Sequence, residues 1–451
     1  MTGFGSFVAA SAASGMLVVQ PRMGMGDPAR MRKGLLATRS AAATTVGTIT
    51  LDSYTRLGET GAARRALTAG EELNGYPITV HPPGTTRGML AGVMDDGFPV
   101  QVRHGSALPE AIFALLPALG LHASEGGPVS YCLPYSRTPL REAVRSWRRC
   151  CELLVAARDG SRAAAEPHME TFGGCMLGQL CPPGLLVAIS VLEALFFRQA
   201  GLRCLSLSYA QQANAGQDAE ALAALGRLAG ELLTGTDWHI VLYAYMGVFP
   251  QSPGGAQLLL DEAARLAVRS GAARLVVKTT SEAHRIPTVA ENVLALETAA
   301  AVADHERRAP PGGRATADTG VYAEARALVD AVLGLSPDVG EALVAAFAKG
   351  YLDIPYCLHP DNAGRTGSRL DADGRLHWSS VGSMPIRPEP AGRGTSIGSA
   401  ELLDALSYVR RTFDERAFDL SAVSRPPFRG FGEPPSRVPL PDNQQDGAPL
   451  P

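Results

Sequence analysis

Three arginines each follow an apolar, strand-like run: Arg22 after residues 16–19, Arg56 after 47–51 and Arg103 after 100–102. A guanidinium stays ionised and presents a stiff planar fork of donors, so several in one pocket point to carboxylate or phosphate groups on a ligand. Each buried charge-assisted hydrogen bond contributes roughly 1.5–3 kcal/mol. Without an anion the three would repel one another, which makes a purely structural triad hard to stabilise. Spacing alone is equally compatible with three unrelated surface or supporting ion pairs. The stretch Glu125-Gly-Gly-Pro-Val-Ser-Tyr131-Cys-Leu-Pro134-Tyr135 adds a carboxylate able to hold an ammonium group. It also adds two phenols able to hydrogen-bond a carboxylate without adding charge; the alternative is packed tyrosines with satisfied hydroxyls. Arginines for carboxylates and a glutamate for an amine suit an acidic amino acid. Lys278 closes the run Leu275-Val276-Val277, with Glu282 four residues on. That pair reads either as an ion pair at a helix start or as two polar handles on a bound cofactor.

Something must bring these residues together. Up to about residue 295, short β-like runs alternate with amphipathic helical stretches, the pattern of a parallel sheet covered by helices. The β candidates are residues 16–19, 47–51, 78–80, 100–102, 129–133, 175–180, 204–208, 239–243 and 274–277. Helical stretches lie at 140–157, 219–233 and 255–269, the last introduced by Ser252-Pro253, a fair cap and first-turn signal. Polar residues follow strand after strand, as expected when all strand ends open on one face of a barrel. The reading is therefore an α/β chain: an eight-stranded βα barrel of the TIM type over residues 1–350, its site at the C-terminal strand ends. A smaller α+β extension over 351–423 carries a hairpin turn at Asp371-Ala-Asp-Gly374 and a helix at 400–418. A Pro/Gly-rich mobile tail covers 424–451. Nine candidates exceed eight, so one is a hairpin, an insertion or a misreading.

Composition narrows the function. The chain has 451 residues, nearly half of them apolar, and a formal net charge of −3. With no basic stripe or polybasic run, neither a nucleic acid nor an anionic membrane is expected as the main partner. No apolar run is long enough to span a bilayer. The opening residues lack the positive start of a signal peptide and read as a short lead-in to a first strand, so a cytoplasmic location is expected. Seven scattered cysteines without a CxxC pair, and histidines without metal-ligand spacing, speak against a disulfide framework or a protein-bound metal. Gly394-Thr-Ser396-Ile-Gly398 matches a nucleophile-elbow pattern but has no strand before it, and Met23-Gly24-Met25-Gly26 is too short for a dinucleotide fingerprint.

Several segments, in order, resemble the large subunit of glutamate mutase (methylaspartate mutase). They are Val19-Gln-Pro-Arg22-Met-Gly24, Thr48-Ile-Thr50-Leu-Asp52-Ser-Tyr54-Thr-Arg56, Leu73-Asn74-Gly-Tyr-Pro77, Gln101-Val-Arg103-His104-Gly105 and the Glu125–Tyr135 stretch. Cys181-Pro-Pro183, Tyr245-Met246-Gly247-Val-Phe-Pro250, Val277-Lys278-Thr279, Glu282-Ala-His-Arg-Ile286-Pro287-Thr288 and Asp353-Ile-Pro355 continue the series. Where the family has a histidine ahead of the Tyr245 motif, this chain has Tyr243. The resemblance implies that Arg22, Arg56 and Arg103 grip the two carboxylates of glutamate, that Glu125 meets its amino group, and that Tyr131 and Tyr135 complete the substrate site. It implies that Lys278 and Glu282 contact the adenosyl moiety of adenosylcobalamin. Gly24, Thr50, Asn74, Pro134, Met246 and Ile286 then lie at or near that cofactor. The implied reaction interconverts L-glutamate and (2S,3S)-3-methylaspartate by a radical route, with no residue assigned as acid or base. The family's small cobalamin-binding subunit carries a DxHxxG motif absent from this sequence, so such a partner is implied, in an assembly of two large and two small subunits. Competing readings are a catalytically silent barrel serving a cobalamin protein, a mutase of a close glutamate analogue, and a cofactor-free lyase.

Overall fold

The computed structural model describes residues 3–160, 165–176, 180–309, 318–387 and 398–423. In chain order the elements begin with α1 (Phe4–Ala13), β1 (Val18–Gln20), α2 (Pro28–Arg39), β2 (Gly47–Thr50), α3 (Ser53–Leu57), α4 (Thr60–Thr68), α5 (Pro83–Leu90) and β3 (Val100–Arg103). They continue with α6 (Glu110–Phe113), β4 (Ala123–Glu125), α7 (Leu140–Asp159), β5 (His168–Glu170), α8 (Pro183–Gln199), β6 (Cys204–Ala210), α9 (Ala215–Leu232), β7 (Asp237–Tyr243), α10 (Pro253–Arg269) and β8 (Arg274–Val276). After α11 (Val289–Arg308) come α12 (Val321–Leu333), α13 (Val339–Lys349), β9 (Thr366–Leu370), β10 (Leu376–Val381) and α14 (Ser399–Val423).

β1 to β8 form one parallel sheet in the order β1-β8-β7-β6-β5-β4-β3-β2. A parallel bridge between Val19 and Thr45 brings its two edges together, so the sheet curls into a barrel. Local chemistry starts the helices where the strands end. Asp27 accepts the Arg30 N–H at 2.7 Å with Pro28 in the first turn of α2, and Asp52 accepts the Thr55 N–H at 3.0 Å to start α3. Ser252 caps α10 just before Pro253, and Thr288 with Glu291 forms a reciprocal capping box on α11.

The interior differs from the branched aliphatic layers usual in such barrels. Gln20 donates to Thr48 (2.9 Å) and Gln101 (2.8 Å), and Gln101 donates to Glu170 (3.1 Å). Arg274, fully buried, pairs with Glu170 and donates to Gln20 and Ser206. Below this polar layer, Phe4 and Val8 of α1 pack with Val18, Val46, Ala123 and Ala273 to close the barrel floor. The short lead-in to the first strand is thus a helix, because its apolar side chains have a ring of strand starts to cover.

The surplus β candidates were misreadings. Residues 78–80 are a turn beside the Leu51–Tyr76 bridge, and 129–133 are a turn whose Val129 and Leu133 are nonetheless buried. The 175–180 candidate begins in a short 3₁₀ turn (Gly173–Cys175), and its residues 177–179 lie outside the described residues. The strands missed instead, β4 and β5, have three residues each and carry Glu125, His168 and Glu170 into the barrel, with Ser124 buried on the outer face beside Met169. The remaining helices embrace the barrel: α12 and α13 pack on α7, α8 and α9, and α14 lies along α10. The hairpin forms as β9 and β10, and the helix expected at 400–418 forms as α14. The nucleophile-elbow match falls largely outside the described residues, and the tail 424–451 lies wholly outside them.

Candidate active site at the barrel mouth

Arg103 is the last residue of β3 and is buried, 4% exposed. Its Nη2 lies 2.8 Å from Oε2 of Glu125, the last residue of the neighbouring β4, and its guanidinium sits 4.9 Å over the Tyr243 ring. Burial works against its charge, but Glu125 first and then Tyr243 and Tyr131 outweigh it, so the group is held more firmly protonated than usual. Its Nη1 is buried without a partner.

Glu125 is a meeting point. Tyr131 donates to its Oε1, and the Tyr243 hydroxyl lies 3.0 Å from its Oε2 while also touching Glu170. One hydroxyl proton cannot serve both carboxylates at once. Glu125 is the one raised above its ordinary range, by burial first and by Glu170, against the pull of Arg103 and both tyrosines. Glu170 is lowered to about 2, because Arg274 and Arg103 overcome its own burial. An ammonium group brought beside Glu125 would favour its ionised form.

Arg22 follows β1 and is exposed; Arg56 lies on α3 after β2, half-buried, with its Nε unpartnered. Neither has an ion-pair partner among the described residues. Both bear electrostatically on the Tyr135 hydroxyl, Arg22 also on Lys278, and Arg56 and Arg103 both on His104. Arg22, Arg56 and Arg103 stand at or just beyond the C-terminal ends of β1, β2 and β3 of one parallel sheet. His104, packed against Phe113, Tyr131 and Trp147, is pushed down to about 3 by burial and then by Arg56, so it is a neutral wall of the site. Tyr131 is buried and Tyr135 stands at the rim, 46% exposed.

Lys278 and Glu282 lie beyond β8, 3.5 Å apart, with the ammonium 5.0 Å from the Phe249 ring centre. The pair sits in a turn rather than at the start of a helix. Gly24 passes so close to β2 that a Cβ there would stand 2.1 Å from the Thr50 carbonyl oxygen. The Thr50 hydroxyl is buried without a partner. Asn74 accepts from Ser53 N–H (3.1 Å) and hydroxyl (3.2 Å). Pro134 and Met246 are partly buried, whereas Ile286 is 71% exposed. Leu57, Leu108, Tyr135, Val248 and Ile286, from loops after β2, β3, β4, β7 and β8, leave a large apolar group exposed around the mouth.

Sequence reasoning missed Glu170 and Arg274 and noticed Tyr243 only as a replacement. The available signal was a charged residue at the start of an apolar run, Arg274 before Leu275-Val276, which demands a buried anion nearby. Glu170, on a three-residue strand, offered none.

A parallel barrel with arginines, a buried carboxylate and phenols at its C-terminal strand ends has the architecture of an enzyme. Residues 2–392 match the family model described as methylaspartate mutase E chain (MutE), and this chain belongs to that family. Proteins named glutamate mutase epsilon subunit are similar to it. The one from Escherichia coli O157:H7 is 29% identical over 353 residues, spanning 75% of this chain and 72% of that protein. The one from Halobacterium salinarum is 30% identical, again over 75% and 72%. The one from Treponema denticola is 27% identical over 82% and 74%. Among solved structures, Proteus mirabilis N-acetylneuraminate lyase matches with a TM-score of 0.33 and 10% identity, over 88% of this chain and 98% of that one. The chain is accordingly the large subunit of a mutase, an isomerase. No described helix is long and apolar enough to cross a membrane.

Proposed function

We propose that this chain is the substrate-holding subunit of an adenosylcobalamin-dependent glutamate mutase that interconverts L-glutamate and (2S,3S)-3-methylaspartate. In this reading it works with a small cobalamin-binding subunit carrying a DxHxxG motif, in a two-plus-two assembly. The observation that carries the proposal is the charge arrangement at the mouth. Arg103 is balanced by Glu125, while Arg22 and Arg56 have no counter-ion among the described residues. Two unbalanced cations beside a carboxylate primed for a cation complement an amino acid with two carboxylates and one ammonium.

The residues present fit the cofactor. Thr50 leaves a buried hydroxyl unpartnered at the strand end that Gly24 approaches, the rim is apolar, and Lys278 with Glu282 forms a hydrogen-bonding pair on the opposite side of Arg22 from β2. Thr50, Asn74, Pro134 and Met246 would border the corrinoid, and Lys278 and Glu282 would hold the adenosyl group. When bound, adenosylcobalamin supplies a carbon-centred radical by cobalt–carbon homolysis. This chain's tasks are positioning and shielding. Arg22, Arg56 and Arg103 fix both carboxylates, so that the hydrogen to be removed is presented in one orientation. Glu125, steadied by Tyr131 and Tyr243, takes the ammonium. The Phe172, Tyr131 and Trp147 rings back the site and keep water from reactive species.

Reconstitution tests the proposal. The purified chain is mixed with a small DxHxxG subunit, adenosylcobalamin and L-glutamate, and 3-methylaspartate is sought by chromatography. Product that depends on all three additions is expected. Absence of product with competent cofactor binding would rule out the glutamate assignment.

A further inference from the structure

Helix α8 is buried along nearly its whole length and is lined by Leu185, Leu186, Val187, Ile189, Val191, Leu192, Phe196 and Phe197. Among these stands Glu193, with 0% of its surface exposed. A carboxylate in such surroundings costs several kcal/mol unless it is well hydrogen-bonded. No cation pairs with it among the described residues. Its partners are backbone amides instead. Oε1 accepts from Val129 N–H (3.2 Å) and Ser130 N–H (2.9 Å) in the loop after β4. Oε2 accepts from Phe172 N–H (3.2 Å) and Gly173 N–H (2.9 Å) in the loop after β5, and from the Ser130 hydroxyl (3.0 Å). One side chain thus ties two mouth loops to the outer helix.

Both loops bear on the site. The β4 loop carries Tyr131, which donates to Glu125, and Tyr135 at the rim. In the β5 loop, Phe172 packs against Tyr131 at 5.0 Å and against Tyr243 at 5.6 Å. Gly127 makes room for the arrangement, since a Cβ there would stand 2.0 Å from Glu193 Oε1. One helical turn earlier, Ser190 meets Thr171 at 2.7 Å and donates to the Ser208 carbonyl at 3.1 Å, extending the same tie to β6.

We infer that Glu193 is a positioning residue of the substrate site: its two carboxylate oxygens, one on the β4-loop amides and the other on the β5-loop amides and the Ser130 hydroxyl, set where Tyr131 and Phe172 stand and thereby orient Glu125. This rests on the proposed function for its kinetic consequence, but the geometric part does not.

Glu193→Gln tests both parts. The amide keeps the shape but turns an NH₂ group toward one pair of N–H donors, so one loop is released. By hydrogen exchange on the full chain, the amides of Val129 and Ser130, or those of Phe172 and Gly173, should exchange at least tenfold faster, with β6 and β7 unchanged. In the reconstituted enzyme, KM for L-glutamate should rise about tenfold and more than kcat falls, with cofactor affinity held. If Glu193→Gln does not fold, Ser130→Ala, which removes one bond to Oε2, should show the same pattern at smaller amplitude. Unchanged exchange at all four amides overturns the inference, as does faster exchange with wild-type KM and kcat. Were the wild-type mixture inactive toward glutamate, the exchange arm would still decide the geometric part, and only the function proposed above would fall.

Discussion

Arg103→Lys separates charge from geometry at the mouth. Lysine retains the positive charge beside Glu125 but has no planar fork. In the native arrangement Nη2 is committed to Glu125 at 2.8 Å, Nη1 is buried and free, and the guanidinium plane lies 4.9 Å over Tyr243. An ammonium placed at the Glu125 position leaves no donor where Nη1 stands and gives up part of the ring contact. One charge-assisted hydrogen bond contributes roughly 1.5–3 kcal/mol. A desolvated cation–ring contact contributes about 0.5–2 kcal/mol. Losing the first and part of the second gives about 2–4 kcal/mol, which at about 1.4 kcal/mol per decade is roughly a 30- to 700-fold fall in kcat/KM. The assay is initial-rate formation of 3-methylaspartate in the reconstituted enzyme, with thermal melting to confirm that the variant folds. A folded Arg103→Lys enzyme whose kcat/KM stays within threefold of wild type would refute the argument that the fork, and not the charge, does the gripping.

Other perturbations test the surroundings. Gly24→Ala forces a Cβ to within 2.1 Å of the Thr50 carbonyl, a backbone contact that no rotamer relieves; urea unfolding should show a loss of about 1–3 kcal/mol, and an unchanged midpoint would contradict it. Glu170→Ala leaves Arg274 buried without its anion, so destabilisation of about 3–5 kcal/mol is expected by the same measurement; a loss under 1 kcal/mol would show that the interior network is not what neutralises Arg274. Lys278 is lowered to about 8 by burial and by Arg22, against the pull of Glu282. Between about pH 8 and its ordinary value the folded protein holds fewer protons here than the unfolded chain, so stability from this group rises with pH, by at most about 1.4 kcal/mol per unit. Wild type should therefore gain on Lys278→Met from pH 8 to 10, and a flat difference would count against it. Asp414 of α14 accepts the Gln251 and Ser252 N–H groups at 3.0 and 2.8 Å, just after the Met246 loop. Asp414→Ala should speed amide exchange at residues 251 and 252, and protection equal to wild type would dismiss the tie.

What could be read from the residues divides along a physical line. Longer strands such as β6 and β7, with Leu205, Leu207, Val241 and Leu242, are visible as β-like runs, and the polar residues that follow run after run suggest a single barrel mouth. Arg103 belongs to that set, whereas Glu125 stood out only as the carboxylate opening the stretch Glu125–Tyr135. The misread segments invert the same logic. Residues 129–133 are apolar because a buried turn must pack Val129 and Leu133 beneath Tyr131, and burial without periodicity looks the same in a turn and a strand. β4 and β5 hide because they are three residues long and their buried side chains include Ser124, Glu125, His168 and Glu170. Glu193 was invisible for a further reason: its partners are backbone amides, which have no signature in side-chain types.

The two charge systems of the barrel explain one another. In the interior, Arg274 meets Glu170, and Gln20, Gln101 and Ser206 take up most of the surrounding donors and acceptors, with the Arg274 Nε left without a partner among the described residues. One layer up, Arg103 meets Glu125, and Tyr243 bridges the two levels by touching both carboxylates. With Glu170 fully engaged, Glu125 keeps its place beside Arg103, and the charge at the mouth is left open at Arg22 and Arg56. A barrel packed with valine and isoleucine could support the same strand ends, but it would offer nothing to hold Glu125 from below. The buried ion pair is therefore better understood as fixing the position of Glu125, the carboxylate proposed to meet the substrate, than as a contribution to stability, for which a well-packed apolar interior would serve as well.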